Sequence, residues 1–296
     1  MLRHMLSPYR HGGTPPGPPA AAAAPAPAAA PALQSVPMDE RSAGTGAGVD
    51  VEVEVDVEAE VVARTVSPRG ELVLRRAGGH YELISNGVFL MDSRDGTSER
   101  ELVRRALATL DVGVDAGVDA GVEGQRQRGR TVLLGGLGLG FSLLEALASE
   151  RVAAVTVVEV EPDVIAWHGT HLRGVGGGAI GDPRVTVVAD DLAAWLRQGR
   201  GQGRFDAVCL DVDNGPDWTV TESNAWLYGS DGLGMLRRAL RPRGVLAVWS
   251  SAAAPGFLGR LRRVFGDGEA VEIPSRLGAP DVIFLAHPAR TAAPGS

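Results

Sequence analysis

Six residues, Gly135-Gly136-Leu137-Gly138-Leu139-Gly140, follow the apolar run Thr131 to Gly135 and lead straight into a stretch of helical spacing, Phe141 to Ser149. Glycines in such a loop let the backbone turn sharply and approach a ligand closely, and the helix N-terminus behind them favours negative groups. Gly136, Gly138 and Gly140 read G-x-G-x-G, whereas the dinucleotide fingerprint G-x-G-x-x-G would need glycine at Phe141. The spacing therefore points to a nucleoside ligand that is not a dinucleotide, against the alternative of a plain tight turn in a glycine-rich chain. Glu159 closes the next apolar run, 19 residues after Gly140. A carboxylate at that tip can accept both hydroxyl hydrogens of a ribose. Glu161 is the competing choice, but it falls past the strand. Asp190 and Asp191 follow the run Val185 to Ala189. One of them accepts an adenine amino group or serves as a helix N-cap, and Asp190 is the choice for the ligand. Asp211 ends the run that starts at Phe205, where a carboxylate can take a proton or hold an amine. Asp213 is a second candidate for catalysis, although with Asn214 it also suits a turn.

These groups need a scaffold that brings several strand ends to one edge. From Thr131 onward strand-like and helix-like stretches alternate without interruption: strands at Thr131 to Gly135, Ala154 to Glu159, Arg184 to Ala189, Phe205 to Asp211 and Val245 to Ser250. Helices fall at Phe141 to Ser149, Pro162 to Leu172, Leu192 to Gln198, Gly232 to Leu240 and Gly256 to Phe265. The strands are apolar on both faces, which specifies a parallel sheet covered by helices on both sides. Ala270 to Ile273 and Val282 to Ala286 have no helix between them and read as a hairpin at one edge. Upstream, short β runs at Glu71 to Arg75, Tyr81 to Ile84 and Val88 to Met91 are punctuated by Gly78-Gly79 and Asn86-Gly87, a hairpin signal. Ser98 with Glu101 forms a capping-box pattern ahead of apolar residues at helical spacing from Leu102 to Leu110.

The organisation expected is a disordered Ala/Pro-rich extension over 1–48, an acidic linker, β module and linking helix over 49–110, and a flexible insertion over 111–129. A nucleoside-binding catalytic domain over 130–286 and a tail over 287–296 complete it. Val49 to Val62 alternates valine with acid and reads as strand or solvated linker, with the linker favoured for its first half. The chain has 296 residues and a net charge of −7, and every one of its 29 basic residues is arginine. Residues 39–60 hold eight acids and one arginine, so the remainder is neutral and lacks the footprint of non-specific nucleic-acid binding. The single cysteine, Cys209, excludes an internal disulfide and a multi-cysteine zinc site and reads as packing. His168 and His171 share a helix face without a third ligand nearby, so no metal is expected. With no apolar run of about 18 residues, a soluble cytoplasmic protein with no membrane partner is expected.

Taken together, Val132-Leu133-Leu134-Gly135-Gly136-Leu137-Gly138-Leu139-Gly140, Val158-Glu159-Val160-Glu161, Asp182-Pro183-Arg184-Val185, Ala189-Asp190-Asp191 and Phe205-Asp206-Ala207-Val208-Cys209-Leu210-Asp211 resemble the spermidine synthases, the polyamine aminopropyltransferase family. The resemblance covers about residues 70 to 286. It implies an α/β fold: a doubly wound, mostly parallel seven-stranded Rossmann-like methyltransferase sheet with a small N-terminal antiparallel β module. It further implies that Glu159 holds the ribose of S-adenosylmethionine or its decarboxylated form, that Asp190 contacts the adenine, and that Asp211 removes a proton from an attacking small-molecule amine. The oligomeric state is left open, with a homodimer compatible.

The departures matter as much. The family's glycine loop carries an aspartate, which pairs with the amine of decarboxylated S-adenosylmethionine, where this chain has Gly138. Its glutamine in the β module corresponds to Leu90, its Tyr-His-Glu to Thr97-Ser98-Glu99, and the second aspartate of its Asp-x-x-Asp to Asn214. Three readings follow: an aminopropyltransferase with an altered amine pocket, a methyltransferase on an unidentified acceptor, and a nucleoside-binding module without turnover.

Overall fold

The computed structural model describes residues 59–115, 129–219, 222–276 and 278–288. Four strands, β1 (Glu60–Ser67), β2 (Gly70–Ala77), β3 (His80–Ser85) and β4 (Val88–Asp92), form an antiparallel meander. Asn86 and Gly87 both take positive φ, 50° and 77°, as a two-residue hairpin turn that follows strand twist requires. Asn86 fixes the module further, its Oδ1 accepting from the Glu71 N–H at 2.9 Å and its Nδ2 donating to the Arg69 carbonyl at 3.0 Å. Strand β1 corrects the expectation for the acidic segment: pairing begins at Glu60 and runs to Ser67, beyond Val62. Residues 49–58, like the extension 1–48, lie outside those described.

Helix α1 (Thr97–Asp115) follows. It continues five residues past the boundary expected at 110 and takes up the start of the proposed insertion, the rest of which lies outside the described residues. The capping box does not form. The helix starts two residues early, Asp95 Oδ1 accepts from the Thr97 N–H at 2.9 Å, and Ser98 Oγ turns instead to Glu99 Oε2 at 3.2 Å. Glu101 pairs with Arg104 and Arg105 on the solvent side.

The large sheet has seven strands in the order β10-β11-β9-β8-β5-β6-β7. Strands β5 (Arg130–Gly135), β6 (Val152–Glu159), β7 (Val185–Ala189), β8 (Phe205–Leu210) and β9 (Leu240–Ser250) are parallel, while β11 (Asp281–Ala286) and β10 (Glu269–Ile273) form the antiparallel hairpin at one edge. Side chains alternate between two cores, as the two-residue strand period demands. Val132, Leu134, Val155, Val157, Ala207 and Cys209 face the β module, α1, α2 (Phe141–Ala148) and α3 (Pro162–Gly169). Leu133, Val158, Val208, Leu210 and Val248 face α4 (Leu192–Arg197), α5 (Ser230–Ala239) and α6 (Pro255–Phe265). Cys209 is buried in the first core, and burial followed by the nearby Asp211 pushes its thiol up to about 12. Strand β9 begins at Leu240, earlier than the expected Val245, because a register shift lets Pro242 and Arg243 (φ 68°) be carried as an irregularity. Helix α3 ends at Gly169, short of Leu172, where Thr170 leaves helical geometry. Among the described residues no helix is long and apolar enough to cross a membrane.

Candidate active site

Register brings the candidate residues to one edge. Gly135 pairs with Val158 on one side and Leu210 on the other, and Glu159 pairs with Ala189. The loops that start at Gly136, Asp190 and Asp211 therefore leave the sheet side by side, around the point where strand order reverses at β5. In open α/β sheets that switch point is where a crevice forms. The β module covers it: Leu72, Leu83, Leu90 and Met91 line the same cleft as Gly136, Gly138, Glu159, Asp190, Asp211 and Asp213.

The glycine loop needs its glycines. Gly136 has φ 93°, and a Cβ there would collide with the Asp211 carbonyl oxygen; Gly138 has φ 48°, with Met91 Sδ 2.7 Å from where its Cβ would stand. Gly140 also takes positive φ, at 91°. Behind the loop, His168 is 3% exposed and its Nε2 donates to the Gly138 carbonyl oxygen at 2.9 Å. Burial lowers the His168 pKa, so the ring is a neutral brace for the loop.

Glu159 is 7% exposed, and its two oxygens accept from the backbone N–H groups of Leu137 and Glu161, each at 2.8 Å. A carboxylate has about four acceptor sites, so one lone pair per oxygen remains for a diol. Burial raises its pKa, which those N–H groups oppose. Glu161 is already engaged: Arg69 Nε donates to its Oε1 at 2.6 Å and Ser67 Oγ at 3.2 Å. Arg69 also donates to the Val160 carbonyl at 2.6 Å, tying the β1–β2 turn to the rim of the cleft. The neighbouring aspartates divide likewise. Asp191 is the N-cap of α4, accepting from the Ala194 N–H at 2.7 Å, while Asp190 is partly exposed beside Arg200, 3.4 Å away.

Asp211 opens on the cleft. Its backbone N–H donates to the Gly135 carbonyl at 2.9 Å. Burial first, then the charges of Asp281 and Glu159, push its carboxyl up to about 7. Asp213 (φ 55°) lines the cleft and accepts from Asn224 Nδ2 at 2.8 Å. Asn214 is buried, and its carbonyl accepts from the Ser251 N–H at 3.1 Å and Oγ at 2.8 Å. The loop between them is anchored from the second core: Tyr228 donates to the Val212 carbonyl at 2.7 Å and packs edge-on against Phe257, which meets Phe284 the same way.

No family model matches the chain. Over 120 residues, 40% of its length, it is 37% identical to a polyamine aminopropyltransferase of Mycobacterium tuberculosis, of which the match covers 22%. With polyamine aminopropyltransferase 1 of Streptomyces coelicolor the identity is 39% over 123 residues, 41% of this chain and 22% of the relative. The chain thus spans about a fifth of the length of these curated relatives. Its fold superposes on spermidine synthase from Thermotoga maritima with a TM-score of 0.59 at 18% identity, covering 77% of this chain and 72% of the other. A spermidine synthase in complex with the transition-state analogue AdoDATO gives 0.58 at 17% identity. The chain is thus similar to polyamine aminopropyltransferases over about two-fifths of its length and shares the fold of the spermidine synthases.

Within that spermidine synthase-like fold, the sequence reading missed Glu99, Arg69 and Met91. Glu99 lines the cleft at 7% exposure, and burial, then the Asp211 charge, pushes its carboxyl up to about 8. Its position was visible as the retained glutamate of Thr97-Ser98-Glu99, but the capping-box pattern drew attention to Ser98 and Glu101 instead. Arg69 carried no signal, lying in a turn remote in sequence from every motif. Asp281, half-buried at the start of β11, is a third acid near Asp211 and Glu99, and burial raises its pKa as well.

Proposed function

We propose that this chain binds an adenosyl sulfonium and transfers its aminopropyl group to an amine, the chemistry named for its relatives. Glu159 accepts the ribose hydroxyls, Asp190 contacts the adenine, and the Gly136–Gly140 loop passes beneath the sulfonium. The amine nitrogen attacks the carbon beside sulfur; the C–N bond forms as the C–S bond breaks, the electron pair goes to sulfur, and 5′-methylthioadenosine leaves. Asp211 takes the proton lost by the amine, and Asp213 assists in holding it. Positioning the two reactants in line supplies much of the acceleration.

The observation that carries this reading is the charge of the cleft. Among the described residues that line it, seven carboxylates face a single guanidinium, that of Arg69, already paired with Glu161. Such a lining favours a donor whose tail carries an amine without a carboxylate, because a tail carboxylate would be desolvated among like charges. Decarboxylated S-adenosylmethionine is that donor. One observation favours methyl transfer from S-adenosylmethionine instead: the loop has Gly138 where an aspartate would repel a tail carboxylate. In that case S-adenosylhomocysteine leaves. Calorimetry tests the ligand class: the reading expects micromolar binding of an adenosyl sulfonium or methylthioadenosine, and binding of NAD with no response to any of these would overturn it.

A further inference from the structure

An aminopropyl tail carries an ammonium that must find an anion once it leaves water. The glycine loop offers none at Gly138, and the space where a side chain would extend is filled by Met91, with Sδ 2.7 Å and Cε 3.1 Å from the position of a Cβ. Most of the other carboxylates have their charge or shape committed: Glu161 is ion-paired through Oε1 with Arg69, although its Oε2 is left without a partner, Asp191 caps α4, Asp190 lies beside Arg200, and Asp213 accepts from Asn224. Asp211 is required for the acceptor's proton. Glu99 remains.

Glu99 is held against the loop's own helix. Ser142, the second residue of α2, donates from Oγ to the Glu99 carbonyl at 3.1 Å. Gly96, just before α1, packs so tightly on the Phe141 ring that no Cβ fits between them, and the Arg100 guanidinium lies 5.1 Å from the centre of the same ring. These contacts fix the α1 N-terminus over the start of α2, so that Glu99 lines the same cleft as Gly138 and Met91. We propose, building on the transfer reaction above, that Glu99 holds the ammonium of the donor's aminopropyl tail and is the residue that selects a decarboxylated sulfonium. The anion is thereby moved from the glycine loop to α1, and Met91 supplies an apolar wall along the methylenes. Burial and then Asp211 push the Glu99 carboxyl up to about 8, and a cationic tail beside it displaces the proton and offsets the repulsion from Asp211.

The test is titration calorimetry on the full chain and on Glu99→Gln, with decarboxylated S-adenosylmethionine, S-adenosylmethionine and methylthioadenosine. Methylthioadenosine has no tail amine, so its binding reports an intact fold and nucleoside half. Glu99→Gln should weaken the decarboxylated donor by roughly 10–100-fold, the worth of a charge-assisted hydrogen bond. Methylthioadenosine should stay within about twofold, and the preference over S-adenosylmethionine should shrink. An unchanged affinity for the decarboxylated donor, or a parallel loss for methylthioadenosine, overturns the assignment of Glu99 alone. A wild-type chain that binds none of the three overturns the functional reading beneath it.

Discussion

The two halves of the cleft are built differently. The half proposed to hold the nucleoside rests on strand ends: Gly136 after β5, Glu159 ending β6 and Asp190 after β7 are placed by register, and backbone N–H groups take up one lone pair on each Glu159 oxygen. The half proposed for transfer is assembled from pieces distant in sequence, with Met91 from the β module, Glu99 from α1, Asp211 just after β8 and Asp281 from the outer hairpin. The first half tolerates little change because the sheet dictates it. The second can exchange its acids and apolar walls without disturbing the sheet, and most of the departures from the family the chain resembles fall there, Gly138 in the glycine loop being the exception.

Asp211→Asn is the sharpest way to separate the halves. It keeps the shape of the loop and should leave methylthioadenosine affinity nearly unchanged while turnover falls by about 10²–10⁴-fold, the usual share of a general base. Wild-type turnover in that variant would reduce Asp211 to a turn former, for which asparagine is a good substitute. Glu159→Ala attacks the other half. It removes the proposed ribose acceptor and leaves the Leu137 and Glu161 N–H groups without the carboxylate they donate to, so nucleoside affinity should fall by roughly 1–3 kcal/mol. An unaltered dissociation constant would place the ribose elsewhere.

The acids of the transfer half also set pH behaviour. With Asp211 at about 7, its base form grows as pH rises, so kcat/KM should climb through about pH 7; a profile flat from pH 6 to 8 would count against it as the base. Stability runs the opposite way. Glu99 and Asp211 bind protons more tightly folded than unfolded, so their contribution is fully present below the unfolded carboxylate pKa and is lost as pH rises towards 7 and 8. The Tm of the ligand-free chain should therefore fall between about pH 5 and 8, and Glu99→Gln should flatten that slope. The smallest effect is expected at His168. His168→Gln keeps a donor for the Gly138 carbonyl and should hold nucleoside affinity, whereas His168→Leu should weaken it by about tenfold, the worth of one buried hydrogen bond. Equal affinities in the two variants would make His168 mere packing.

Legibility in the sequence follows the same division. The parallel sheet, its edge hairpin and the strand-tip acids could be read because apolar runs alternate with helical spacing and each tip is marked by Gly, Asp or Glu. Counting residues placed Glu161 past the strand, and there it pairs with Arg69, while Glu159 ends β6. Glu99 could not be singled out, since its proposed role depends on α1 crossing to Asp211 and on the helix beginning at Thr97, two residues earlier than the Ser98 pattern implied. Met91 looked like an ordinary strand residue. Its meaning comes from standing over Gly138, a contact between two layers that no local spacing encodes.

The central claim, that this cleft moves an aminopropyl group, is tested most directly by product analysis. The full chain is incubated with decarboxylated S-adenosylmethionine or S-adenosylmethionine and a panel of primary amines, and the nucleoside products are separated. The account predicts methylthioadenosine, formed from the decarboxylated donor and dependent on an added amine; S-adenosylhomocysteine, or neither nucleoside, would contradict it.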